Sequence, residues 1–269
     1  MSGFSLPETK PAVIGILNVT PDSFSDGGKY ASPQEAIDAA RRMIAEGAHL
    51  IDVGGESTRP GAAPVPANEE ATRVLPIVKA LAAEGIPVSI DTRKPEVADA
   101  ALAAGACVLN DVTGLRDPAM RALAARHDAT VIIMHMQGEP QTMQANPEYE
   151  DVLAEVSAFL KAQAEACIAA GIAEERIWID PGIGFGKTVE HNLTLLRATG
   201  ELAATGYPVV IGASRKSFIG RLTGEADPTR RLGGSLAVAL YATQLGTAAL
   251  RVHDVAETVQ AIALWRALS

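Results

Sequence analysis

Carboxylates, carboxamides and cations recur in this sequence at one kind of place, the end of a short apolar run. Asn18, Asp52, Asp91, Asn110 with Asp111, His135, Asp180, Ser214, and Arg251 with His253 all stand there. Lys216, Arg215 and Arg59 add to the positive charge of Arg251 and His253, so a ring of acids and amides has a cationic cluster beside it. That inventory suits a heterocycle edge and a phosphorylated tail. An unpaired carboxylate in a dry site is costly, so Asp91 and Asp180, if buried, need partners. A heterocycle with adjacent N–H and amino donors would satisfy Asp180 through two parallel hydrogen bonds, and Asn110, both donor and acceptor, could read a mixed edge beside it. The alternative for Asp91 and Asp180 is an ion pair with Arg or Lys on a neighbouring strand. Asp52 and Asp111, alternating away from their neighbours, are expected to anchor loops. His49 and His127 read as surface or packing residues. His135 could reach the site or bond a neighbouring loop, and the Met134 thioether could pack on a flat ring or in the core.

These residues must be positioned by the elements that carry them. Short apolar runs at 13–17, 50–53, 88–90, 108–109, 130–134, 177–179, 209–211 and 248–251 alternate with helical stretches at 34–46, 68–84, 96–104, 119–126, 150–170, 191–205, 229–245 and 257–268. That order is strand then helix, eight times, the pattern of parallel strands joined by crossover helices. Continuous apolar strands suit burial on both faces. An open doubly wound sheet would alternate in the same way. Polar residues at the end of nearly every strand favour a (β/α)8 TIM barrel, whose active site gathers at that face. A single domain over 1–269 is expected. Two strand-to-helix loops, NVTPDSFSDGGKYA (18–31) and GGESTRPGAAPVPA (54–67), are long and rich in Gly, Pro and Ser, where a barrel would place a lid.

Bulk properties narrow the function. A net charge of -9 speaks against a nucleic-acid binder, so an anionic substrate must be held by local cations. The two cysteines, Cys107 and Cys167, lack metal-site spacing and read as thiols in a reducing compartment. The opening MSGFSLPETKP has no apolar stretch like that of a signal peptide, and no apolar run reaches the roughly 18 residues of a membrane span. A cytoplasmic enzyme without a membrane partner is the expectation. GxSxG, HExxH and P-loop signatures are missing, and GIGFG (182–186) is no dinucleotide fingerprint because no helix opens directly on it.

With these residues assembled, the sequence resembles the dihydropteroate synthases. The stretches that carry the resemblance are GILNVTPDSFSDGG (15–28), IDVGGESTRPGA (51–62), DTRKPEVA (91–98), NDVTG (110–114), MHMQG (134–138), DPGIGFGK (180–187), GASRKSFIG (212–220) and RVHDV (251–255). The first two are the most specific, and departures are small: Arg93 stands at a variable position, and the lead before the first strand is short, which puts a bottom-capping hairpin in doubt. The resemblance implies condensation of p-aminobenzoate with a dihydropterin diphosphate. It places Thr58, Asp91, Asn110, Met134, Asp180, Gly212 and Lys216 around the pterin, and Arg251, Val252 (through its backbone) and His253 at the diphosphate. Asn18 matches a contact to Mg2+. Phe24, Thr58, Arg59, Pro60, Phe185, Lys216 and Ser217 match the p-aminobenzoate region. Lys216, Arg251, His253 and Asp91 are the catalytic group so implied, and sulfonamide inhibition and a homodimer are further implications. The rival expectation is a pterin-binding barrel that passes a methyl group from methyltetrahydrofolate to a corrinoid protein.

Overall fold

The computed structural model describes residues 4–9, 11–19, 32–57, 63–139 and 142–268. Eight parallel strands form one sheet: β1 (Ala12–Asn18), β2 (Leu50–Gly54), β3 (Val88–Asp91), β4 (Val108–Asp111), β5 (Thr130–Met134), β6 (Ile177–Asp180), β7 (Val210–Ile211) and β8 (Ala249–Val252). Pairing runs from β6 down to β1, then to β8 and β7. A bridge between Ile179 and Val209 and a hydrogen bond from Ile179 N–H to Pro208 oxygen (2.9 Å) join β6 to β7 and close the ring. The chain is a (β/α)8 barrel in one domain.

The helices outside are α1 (Pro33–Ala45), α2 (Ala67–Ala83), α3 (Pro95–Ala103), α4 (Pro118–Arg126), α5 (Val152–Ala169), α6 (Val189–Arg197), α7 (Thr199–Ala203), α8 (Ser217–Thr223), α9 (Leu232–Gln244) and α10 (Val255–Leu268). Several start where the sequence supplies a cap. Ser32, Asp117 and Asp151 accept backbone N–H groups of α1, α4 and α5, and Thr188 with His191 makes a capping box on α6. The helix expected over 191–205 is two: Ala198 ends one and starts the next, and the Thr199 hydroxyl donates to the Leu196 carbonyl at the break (2.8 Å). The one expected over 229–245 begins later, after a 3-10 turn at Pro228–Arg230. Helix α8 was not anticipated. It is one short element inside the loop after β7, too brief for a periodic signal.

Strand register decides what faces the axis. Ile14 pairs with Leu50, Asp52 with Ser89, Ser89 with Val108, Val108 with Thr130, Ile132 with Trp178, and Val210 with Ala249. Ala12, Ile14, Leu50, Val108, Ile132, Trp178, Val210 and Ala249 form an apolar cluster inside the barrel. Phe4 and Leu6 pack against it from below; the Phe4 ring meets Trp178 edge-on at 5.8 Å, and its carbonyl accepts from the Thr130 hydroxyl (3.1 Å). The described lead, residues 4–9, closes the barrel floor without forming a strand. Outward residues such as Val13, Ile51, Ile90, Val131 and Ile179 join the larger core beneath the helices.

Candidate active site

Two residues beyond that apolar layer, the same inward faces turn polar. Asp52 follows Leu50, Asn110 follows Val108, Asp180 follows Trp178 and Arg251 follows Ala249, and Asp91 lies level with them as the partner of Asn110 and Gly54. A strand sends alternate side chains to one face, so this spacing puts them all over the barrel mouth.

Arg251 is the hub. Its Nε donates to Asp52 Oδ2 at 2.5 Å and its Nη2 to Asp91 Oδ2 at 2.7 Å. Asn110 Nδ2 donates to the same Asp52 oxygen at 3.1 Å. Of the two readings open for Asp91, the structure shows an ion pair, but with an arginine from β8, across the mouth with β1 and β2 between, and not from a neighbouring strand. Asp52 corrects the expectation of a loop anchor: it is fully buried and faces the axis, because Leu50, Asp52 and Gly54 share one face of β2. Asp111 does meet that expectation, turning outward and accepting from Thr113 and Leu115 N–H groups.

Asp180 Oδ1 accepts from Gly182 N–H at 2.7 Å. A Cβ added to Gly212 would lie 3.6 Å from Asp180 Oδ2 and 3.8 Å from Arg251 Cβ. Gly212 thus lies between the Asp180 carboxylate and the aliphatic stem of Arg251. Asn18 at the tip of β1 and Asp91 both flank Gly54, each with an oxygen 3.6 Å from where a Cβ would be.

Burial raises the Asp91 carboxyl above the usual range; Arg251 opposes the rise and Asp52 adds to it. Burial likewise raises Asp180, against the Gly182 N–H and the charges of Lys216 and Arg251. Burial works against the charge of Arg251, but Asp52 and Asp91 more than offset it and hold the guanidinium protonated. A layer of this kind holds fixed charges of both signs in a poorly solvated place, which favours a ligand with complementary donors and a negative tail.

Lys216 precedes α8, and its ammonium lies 3.8 Å from the centre of the Phe185 ring, a cation–π contact. The residue before it, Arg215, is left-handed (φ 60°). Ser235 Oγ accepts its N–H at 3.0 Å and Arg231 donates to its carbonyl at 3.0 Å, which fixes the turn that aims Lys216. Arg215 itself leaves the expected cationic cluster: its guanidinium pairs with Asp254, tying the loop after β7 to the loop after β8. His253 Nδ1 lies 3.1 Å from Ser214 Oγ, at the same junction. Val252 is buried in the outer core, so only its backbone can face a ligand. Ser217 is exposed at the first residue of α8.

Met134 and Phe185 join Val112, Met136 and Met143 in a small apolar cluster beside the mouth, an intermediate outcome for the thioether. His135 bonds a neighbouring loop: its Nδ1 meets the Lys187 ammonium nitrogen at 3.0 Å. Lys187, given no role by the sequence, also donates to the Phe185 carbonyl at 3.0 Å and is buried. Burial lowers Lys187 to about 7 despite Asp180, and burial together with the charge of Lys187 lowers His135 to about 3. The turn they pin needs glycine, because a Cβ on left-handed Gly182 would lie 1.8 Å from the His135 carbonyl oxygen. His49 and His127 take packing and surface roles, bonding Val13 N–H and pairing with Asp99. Phe24, Thr58, Arg59 and Pro60 lie outside the described residues.

Known proteins resemble this chain along nearly its whole length. Residues 14–253 match the family of pterin binding enzymes. A dihydropteroate synthase of Neisseria meningitidis serogroup C is 50% identical over 269 residues, covering 98% of this chain and 95% of the relative. The crystal structure of Yersinia pestis dihydropteroate synthase with a sulfonamide drug complex superposes with a TM-score of 0.92 at 44% identity, covering 98% of each chain. That of the Xanthomonas albilineans enzyme in complex with 7,8-dihydropteroate does so with a TM-score of 0.87 at 45% identity, covering 96% of this chain and 94% of that one.

Proposed function

The chain belongs to the pterin binding enzyme family, and from that membership we propose that it works as a dihydropteroate synthase. It joins p-aminobenzoate to (7,8-dihydropterin-6-yl)methyl diphosphate, giving 7,8-dihydropteroate and pyrophosphate. The observation that carries this reading is the polar layer at the mouth, where Asp180 and Arg251 both flank Gly212, Arg251 pairs with Asp52 and Asp91, and Asp52 also holds Asn110. Asp180 takes the N–H and amino donors of the pyrimidine edge, Asn110 reads the mixed edge next to it, and Met134 packs nearby. Arg251, the Val252 backbone and His253 hold the diphosphate, and Lys216 reaches between the two substrates. Phe185 and Ser217, with Phe24, Thr58, Arg59 and Pro60, surround the p-aminobenzoate.

An aromatic amine is neutral near neutral pH and needs no strong base before it attacks. The difficulty is departure of a multiply charged group. The carbon–oxygen bond to diphosphate breaks while Arg251 and His253 balance the charge that develops on it, which is electrostatic stabilisation of the transition state. The electron-rich pterin carries positive charge on the methylene carbon, an SN1-like path. The aniline nitrogen then bonds to that carbon and its proton leaves to solvent or to the diphosphate. Mg2+ fits the mouth as well: the Asn18 carboxamide offers a hard oxygen at the inner tip of β1, and such an ion takes few protein oxygens beside substrate phosphates. When bound there, it would neutralise diphosphate charge.

Free Cys107 and Cys167 suit a cytoplasmic setting, and no described helix is long and apolar enough to cross a membrane. Exposed Tyr241 on α9 and Leu264 and Leu268 on α10 suit a homodimer through those helices. The deciding experiment measures pyrophosphate release from the pterin diphosphate with and without p-aminobenzoate, and again after Mg2+ is chelated. Release coupled to 7,8-dihydropteroate formation, competed by a sulfonamide and lost on chelation, is the expected result. Methyl transfer without any pyrophosphate chemistry would replace this reading with the corrinoid one.

A further inference from the structure

Asp52 is the most deeply buried member of the polar layer, and the proposed reaction gives it no contact with substrate. One of its oxygens nevertheless serves two residues with different tasks. Oδ2 accepts from Arg251 Nε at 2.5 Å and from Asn110 Nδ2 at 3.1 Å, while Oδ1 bonds no group among the described residues.

Each bond removes an ambiguity. A carboxamide is nearly symmetric in shape, so Asn110 could present its oxygen and its NH2 in either order. A carboxylate only accepts, so it repels the amide oxygen and selects the arrangement with nitrogen against Asp52. The Asn110 oxygen and its second N–H are then left to a ligand in a fixed order. The guanidinium is fixed in the same way, with Nε on Asp52 and Nη2 on Asp91, leaving a planar set of donors on Nη1 and the other edge of Nη2.

We infer that Asp52 is a positioning residue for both halves of the pterin substrate: it orients Arg251 for the diphosphate and sets the order of oxygen and nitrogen in the Asn110 carboxamide for the ring. This rests on the proposed dihydropteroate synthase reading.

Charge and positioning predict opposite signs, and that makes the inference testable. Asp52→Asn removes a negative charge beside an anion site, which by electrostatics alone tightens pyrophosphate binding. Loss of positioning weakens it. Calorimetry on wild type and Asp52→Asn would use two probes, inorganic pyrophosphate with Mg2+ and phosphate-free 6-hydroxymethyl-7,8-dihydropterin. Both are expected to bind about tenfold more weakly to the variant, the scale of one lost charge-assisted hydrogen bond. Equal or tighter pyrophosphate binding overturns the inference, as does weakening of only one probe. A wild-type protein that binds neither probe instead sinks the functional reading. Should the variant not fold, wild type alone supplies the test. The side-chain N–H protons of Asn110, assigned with Asn110→Asp, are expected to exchange slowly with solvent without ligand, whereas rapid exchange of both overturns the inference.

Discussion

The floor and the mouth of the barrel are built on the same faces of the same strands, two residues apart. Leu50, Val108, Trp178 and Ala249 make a dry plug with Phe4 beneath it; Asp52, Asn110, Asp180 and Arg251 make a charged layer above. A step of two residues is about 7 Å along a strand, so one turn of the pattern changes the interior from packing to recognition. The floor gains from removing apolar surface from water. The mouth holds carboxylates whose burial raises their proton affinity, a condition that persists because Arg251 and the backbone compensate it. Stability and activity are therefore expected to separate by layer, and substitutions can break that separation.

The largest effect belongs to the mouth. Lys216→Ala removes the ammonium from the Phe185 ring and should lower kcat/KM by about a thousandfold, with the melting temperature almost unchanged; near-wild-type efficiency would remove Lys216 from the site. On the floor, Trp178→Ala should cost about 3–5 kcal/mol in chemical denaturation, as large aromatic deletions do. Pterin affinity per folded molecule should stay within about twofold, because the deletion removes packing and no polar group of the mouth. A matching loss of affinity would show the two layers to be one unit. Asp180→Asn turns one acceptor into a donor facing an N–H and should weaken the pterin fragment between ten- and a hundredfold by calorimetry, roughly the cost of one mispaired buried group. Unchanged affinity would contradict the edge contact.

The smallest effect tests a residue between the layers and the loops. Lys187 has its pKa lowered from 10.5 to about 7 by burial. Between those values the unfolded chain binds more protons than the fold, so stability rises with pH. From about pH 7 to about pH 9 the melting temperature of wild type should climb relative to that of Lys187→Met, whose curve lacks this contribution. Parallel curves would mean that Lys187 stays charged in the fold.

Much of this molecule is legible in its sequence. Strand and helix alternation and polar strand ends are local signals, and most of the expected elements lie close to their observed bounds. The motifs that resemble dihydropteroate synthases named Asp91, Asn110, Asp180, Lys216 and Arg251, and all five come from elements around one mouth. What the sequence could not state is which partner each charge takes. Arg215 and Arg251 both follow apolar runs, yet one clamps Asp254 and the other centres the site. Asp52 and Asp111 looked alike and face opposite ways. Period-two alternation fixes relative facing within a strand, but only the register between strands and the closure of the ring turn one face into the inside. The pairing of the first strand with the last puts β2 and β8 on either side of β1, and so sets Asp52 against an arginine 199 positions later in the chain.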